Sequence, residues 1–332
     1  MNEDSEIQAS LEPVVLYKLN AEQGEGVDLS KEYSIKGYPT FVMMNGDGVT
    51  LDRWIGYSKD YFISTIGDAV IDPVPIETRL ASYSSKPGLN DALVLGRYSA
   101  SLDKYKDAVD YYTMAQKLNN DPAKNFSYDI FINTVDGARG DDFTFDDAAK
   151  AADAVLASPD ADRDEIYGVA RSMAGLAQKK KTMDKAAPFL EAGIKALVGS
   201  EDPADLARYN YLMTDYSLYI SKDLDQAVVY KKASMPAGWA ENAGDLNSFA
   251  WWCFENNVDL KDAEDLSRKS VELADTGREK AMYLDTLAEI CNSLGKYQEA
   301  VDLTKSAIAE NPDSDYYKKQ LDRFEKIVAL HN

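Results

Sequence analysis

The chain has 332 residues, and its 57 acidic side chains against 36 Lys and Arg leave a net charge of −21. That balance repels phosphate backbones and anionic lipid, so neither nucleic acid nor a membrane surface is an expected partner. Apolar residues make up 45%, enough for a real core. No apolar run is long enough for a membrane span, and the acidic, polar first twenty residues do not read as a secretory leader. Two cysteines, Cys253 and Cys291, exclude a disulfide framework and a multi-cysteine zinc site. The single histidine, His331, is one residue from the end of the chain, which argues against histidine-based catalysis. There is no phosphate loop, Gly-rich dinucleotide turn or Ser/His/Asp set. The sequence therefore predicts no catalytic residues, no metal and no cofactor.

Residues 14–19, VVLYKL, form a short β-rich run. A second run follows at 40–44, TFVMM, then the turn residues Asn45, Gly46, Asp47 and Gly48, then a third run at 49–55. The last two read as an antiparallel hairpin. Residues 58–70 return to a helical pattern with Tyr61, Phe62, Ile66 and Val70 on one side. Pro73, Pro75 and Pro87 break regular structure after that, placing a domain boundary near 71–76. From Asn90 onward the helical period dominates.

This second region repeats. Alanine recurs at 108, 148, 186, 227, 263 and 300, at spacings of 40, 38, 41, 36 and 37 residues. Three residues before each stands a bulky residue: Tyr105, Phe145, Met183, Leu224, Leu260 and Tyr297. Seven residues after each stands a small or modest one: Ala115, Val155, Gly193, Ser234, Ser270 and Ala307. A small residue lets two antiparallel helices approach, and each such pair exposes an apolar face that its neighbour covers. The clearest copy, residues 283–312, closely resembles a tetratricopeptide repeat, with Leu284, Leu287, Ala288, Gly295, Tyr297, Ala300, Ala307 and Pro312 at family positions. Residues 93–122 are the next clearest, and the middle units are longer and degenerate. Residues 314–331 read as a capping helix.

Residues 14–70 resemble the second half of a thioredoxin-fold domain. The resemblance rests on Leu19-Asn20-Ala21-Glu22 at a strand end, a helix ending at Tyr33, the run from Ile35 to Phe41, the hairpin, and Gly56-Tyr57 before the last helix. It implies a cis bond before Pro39 and a substrate-facing edge made of Tyr38, Pro39 and Thr40. The family's Cys-x-x-Cys is absent, as is the half of the fold that carries it. Two explanations stand: the chain begins inside a longer protein that has the dithiol, or that half is lost and the remnant packs on the helical array.

The expected fold is mainly α. It is a tetratricopeptide-like α-solenoid of about six helix pairs preceded by an incomplete α/β thioredoxin-like module. Residues 1–72 form the module, 73–89 a linker, 90–313 the repeats and 314–332 the cap. Cys253 and Cys291 are expected as buried free thiols. Asp160, Asp162 and Asp164 are spaced like a calcium loop, but Glu165 and Arg171 stand where an EF-hand needs Gly and Glu, so the segment reads as an acidic turn. Lys179, Lys180 and Lys181 read as a solvated turn. Adjacent Trp251 and Trp252 cannot face the same core, so one of Trp239, Trp251 and Trp252 is a candidate groove aromatic.

The expected function is protein–protein interaction, with a peptide or partner domain held on the concave face of the array. A thiol–disulfide oxidoreductase whose dithiol lies upstream of Met1 is one alternative, and a purely structural assembly subunit is another. Unpaired cysteines fit a reducing cytoplasm. A periplasmic or secreted location becomes the expectation if a leader precedes Met1.

Overall fold

The computed structural model describes residues 4–122 and 124–331, so residues 1–3 of the expected module and Asn332 of the cap lie outside it. Among the described residues there are seventeen α-helices and one two-stranded sheet. The chain divides into two compact units, residues 1–192 and 193–332.

The first unit opens with α1 (Ser5–Leu11), α2 (Glu25–Glu32), β1 (Thr40–Met44), β2 (Thr50–Ile55), α3 (Lys59–Ile71) and α4 (Ile76–Tyr83). Helix α1 has its own N-cap: the Asp4 carboxylate accepts from the amides of Glu6 and Ile7. β1 and β2 pair antiparallel, Thr40 opposite Ile55 and Phe41 opposite Trp54, with an irregularity at Met43/Met44. The turn is closed by Asn45, whose side chain accepts from the amides of Asp47 and Val49. Ile7, Trp54, Phe62 and Ile66 form the small core beneath this hairpin. On α3, Phe62 and Ile66 are buried, whereas Tyr61 and Val70 are exposed.

Two expectations change here. Residues 14–19 join no sheet, and Val15, Leu16, Tyr17 and Leu19 are exposed. A β-rich composition makes a strand only where a neighbour supplies the ladder, and none stands beside this segment among the described residues. The second change is that 73–89 is not structureless. Pro75 ends an extended stretch and caps α4, as a residue with fixed φ suits a helix start. Ile76 is buried, and so is Arg79. The Arg79 guanidinium ion-pairs with Asp91 and Asp72, and it donates to the carbonyls of Asp72 at 2.8 Å and Val74 at 3.2 Å. A guanidinium has five donors that call for acceptors, and this loop-to-helix junction supplies four hydrogen bonds to them.

The repeats of the first unit are α5 (Leu89–Ala100) with α6 (Tyr105–Leu118), then α7 (Ser127–Arg139) with α8 (Phe145–Leu156), then α9 (Arg163–Lys180) with a 3₁₀ turn (Met183–Ala186) leading into α10 (Ala187–Leu197), which runs across the division. The second unit holds α11 (Pro203–Asp215), continued by a π-turn (Tyr216–Ser221), with α12 (Leu224–Ser234). It then has α13 (Ala243–Asn256) with α14 (Leu260–Leu273), α15 (Arg278–Ser293) with α16 (Tyr297–Glu310), and last α17 (Asp315–His331). Each bulky repeat residue is the first residue of a second helix or of the turn leading into it. Each of the six linked alanines has zero exposure. The chain is thus a run of tetratricopeptide-like helical hairpins.

The turn residue varies along the array. Each turn between paired helices holds a residue at positive φ, and only the last uses glycine, Gly295 at 77°. The others use Asp103, Asp141, Lys181, Lys222 and Asn257 with Asp259, side chains that meet a steric cost there.

Asp52 and Arg97 join the hairpin to the first repeat. They are 1% and 7% exposed, and the guanidinium meets the carboxylate at 2.6 Å. The neighbouring Arg53 donates to the carbonyls of Tyr33, Ser34 and Ser101. A buried pair is strongly disfavoured once one partner is removed. Arg97→Met is expected to lower stability by about 3–5 kcal/mol. The double variant Asp52→Leu/Arg97→Met should lose less than Arg97→Met alone; urea denaturation of the three proteins checks this.

Candidate functional site

Tyr38, Pro39 and Thr40 lead into β1. The Tyr38–Pro39 bond is cis. The Pro39 carbonyl accepts from the Gly56 amide at 2.9 Å, and the Thr40 hydroxyl donates to the Gly37 carbonyl at 2.6 Å. Tyr38 is 63% exposed. Among the described residues β1 pairs only with β2, so its outer edge is open.

The three tryptophans separate. Trp239 and Trp252 pack on the core built from Phe249, Ala250 and Cys253, with ring centroids 5.3 and 6.0 Å from Phe249. The Lys231 ammonium lies over the Trp252 ring, 5.8 Å from its centroid. Trp251 is not part of that core; it is half-buried and packs at a tilt against Phe254, ring centroids 5.0 Å apart.

A polar set on α13 and α15 escaped sequence reasoning. The segment Leu246-Asn247-Ser248-Phe249-Ala250 with Cys253 on α13 matches Leu284-Asp285-Thr286-Leu287-Ala288 with Cys291 on α15. In both copies the Leu, the Phe or Leu, the Ala and the Cys are buried. Asn247 and Asp285 are each 8% exposed, and each keeps a buried side-chain oxygen with no hydrogen-bond partner. The same alignment sets Trp251 level with Glu289. The Asp285 carboxylate accepts from the Tyr316 hydroxyl at 3.1 Å, and Glu289 accepts from Gln320 and Arg323. Burial pushes the Asp285 carboxyl up to about 6, against the Tyr316 bond that favours its charge. The signal that finds this set is the paired motif itself, with a polar residue one place after a buried leucine in both copies.

Glu264, Cys291 and Glu299 offer metal-type atoms within 4.8 Å of one another. Two cations already fill that space. Lys296 bonds both Glu264 oxygens at 2.7 Å, and Arg268 bonds Glu264 and Glu299. Burial alone would raise the Glu264 carboxyl, but these bonds hold it below its ordinary value. The group is an ion-pair network and does not fit a metal. Both cysteines are free and buried, and burial pushes each thiol up to about 12. A thiolate nucleophile needs the opposite shift.

The remaining motifs have structural roles. Asp162 caps α9 in a capping box with Glu165. Lys179 donates to the Arg139 carbonyl at 2.7 Å, Lys180 pairs with Asp141, and Lys181 takes the left-handed turn. In the first unit burial pushes the Asp129 carboxyl on α7 up to about 6, with Arg97 opposing the rise and Glu165 adding to it.

Comparison with family profiles finds no match, and neither does comparison with curated proteins. Among solved structures the chain is similar to one titled "TPR2AB-domain:pHSP90-complex of yeast Sti1", at 13% identity and a TM-score of 0.26, covering 71% of this chain and 96% of that one. No comparison supports the thioredoxin-like reading of residues 14–70. No described helix is long and apolar enough to cross a membrane.

Two outcomes follow from these groups. The folded pKa of Asp129 lies above its unfolded value, so its contribution to stability is fully present below about pH 4 and is lost as pH rises through about 6. Asp129→Asn should therefore be more stable than the parent at pH 7.5, by about 1–3 kcal/mol, with the difference fading toward pH 4; urea midpoints across that range test it. Ellman's reagent should leave both thiols unreacted on a minute timescale in native buffer and titrate both in guanidinium.

Proposed function

We propose that the chain is a protein-interaction module whose second-unit inner face receives an extended segment of a partner protein. The observation that carries this reading is the contrast among the tryptophans. Trp239 and Trp252 pack on the core, while Trp251 stays outside it, one turn after Asn247, whose buried side-chain oxygen has no partner. Core packing does not account for a large aromatic placed there, whereas aromatic anchors carry much of the energy at interfaces. The open β1 edge with Tyr38, Pro39 and Thr40 offers a second surface, suited to addition of an extended strand.

Thiol–disulfide chemistry finds no support in the described residues. Both thiols belong to the helical part, and both are held in the protonated form. A purely structural assembly role would need no selective inner face, so the same experiment tests it.

The test is selection of peptides from a phage-displayed random library on the immobilised full chain. Selected peptides should lose affinity about tenfold or more on Trp251→Ala, as expected of a hot-spot aromatic, with little change in stability. Trp252→Ala should instead destabilise the fold, by about 3–5 kcal/mol. Failure to enrich any peptide, or indifference of every selected peptide to Trp251→Ala, would overturn the groove reading and leave the assembly role.

A further inference from the structure

Building on the groove reading above, we propose that the inner face of α13, α15 and α17 is a receptor for a basic side chain of the partner segment. An Arg guanidinium or Lys ammonium would pair with Asp285 and lie against Trp251.

The chemistry of the unsatisfied atoms sets the class of ligand. Asp285 Oδ2 takes one bond from Tyr316, and Asp285 Oδ1 takes none. Asn247 Oδ1, at the equivalent place one repeat earlier, is likewise without a partner. Both atoms are acceptors. A buried acceptor with no donor costs about 1–3 kcal/mol, more when charged. Two such atoms at one register call for a donor-rich group.

Charge points the same way. Glu289, one turn beyond Asp285, already takes the Arg323 guanidinium, whose charge also reaches Asp285, and no cation among the described residues forms an ion pair with Asp285. The local set of Asp285, Glu289 and Arg323 therefore keeps one uncompensated negative charge. It would repel a carboxylate or phosphate and attract a cation. Trp251 adds an aromatic face, which favours a cation further. Tyr316, 52% exposed, is the outer cover: its hydroxyl bonds Asp285 at 3.1 Å, with Gln320 as a second neutral neighbour of the carboxylate, and rotation of the Tyr316 side chain opens the carboxylate to the groove. Burial of the carboxyl deepens the preference, because a desolvated carboxylate gains more from an arriving cation than a solvated one does.

The experiment labels the full chain with 5-fluorotryptophan and follows its four tryptophan resonances, with Trp251 assigned by loss of its signal in Trp251→Phe. The probes are three capped pentapeptides, Gly-Ser-X-Ser-Gly, where X is arginine, its neutral isostere citrulline, or glutamate. The Trp251 signal should shift saturably with the arginine peptide and stay still with the other two. Asp285→Asn, which keeps the shape and removes the charge, should weaken the arginine peptide about tenfold or more. The proposal is overturned by an equal response to arginine and glutamate peptides, by no saturable shift with arginine, or by unchanged arginine affinity in Asp285→Asn. The peptide contrast is read on the unmodified chain, so it decides even if that variant fails to fold. If library-selected peptides depend on Trp251 yet carry no basic residue, the groove reading stands and the basic-ligand proposal fails.

Discussion

Close approach of paired helices is the constraint on which the molecule rests. A helix pair can pack face to face only where one side chain is nearly absent, and alanine stands at that point in all six pairs with no exposed surface. Any larger residue would separate the helices and open voids along the pair, because interiors are packed as tightly as organic crystals. The bulky residue three places earlier then begins the second helix and fills the turn. A single spacing rule therefore sets where each turn falls, how the two helices meet and which faces are left for the neighbouring pair.

That rule leaves freedom elsewhere, and the acidic composition occupies it. Aspartates cap helices, as at Asp4, Asp162, Asp202 and Asp223, where their charge meets the positive end of the helix. Others pair with lysines at the ends of neighbouring helices, as Asp141 does with Lys180. The carboxylates with raised pKa are a different population. Asp129, half-buried, and Asp285, buried, stand on first helices of their pairs, where no alanine rule applies and where a polar group must find its own partner.

The N-terminal hairpin obeys another logic. Its apolar core is small, four buried residues in one cluster, and it leaves a sheet edge open. What ties it down is ionic: Asp52 to Arg97, Arg53 to three carbonyls, and Arg79 to the start of the first repeat. Buried guanidinium groups are costly to place and specific once placed. They hold a two-stranded sheet that would be marginal by itself.

The sequence by itself determined the repeat. Spacing alone located six buried alanines and the starts of the second helices, because close packing tolerates so few residue types at those points. It also located the hairpin, since turn residues and β-rich runs are local signals. Local signals misled at residues 14–19, where a strand needs a neighbour, and at 73–89, where prolines that break one element begin another. The polar row was beyond reach for a related reason. Asn247, Asp285 and Glu289 look in sequence like any solvated helix positions, and Trp251 looks like Trp252. Only the tertiary structure decided which side of α13 and α15 faces the core, and so which polar atoms are buried without partners and which tryptophan remains outside.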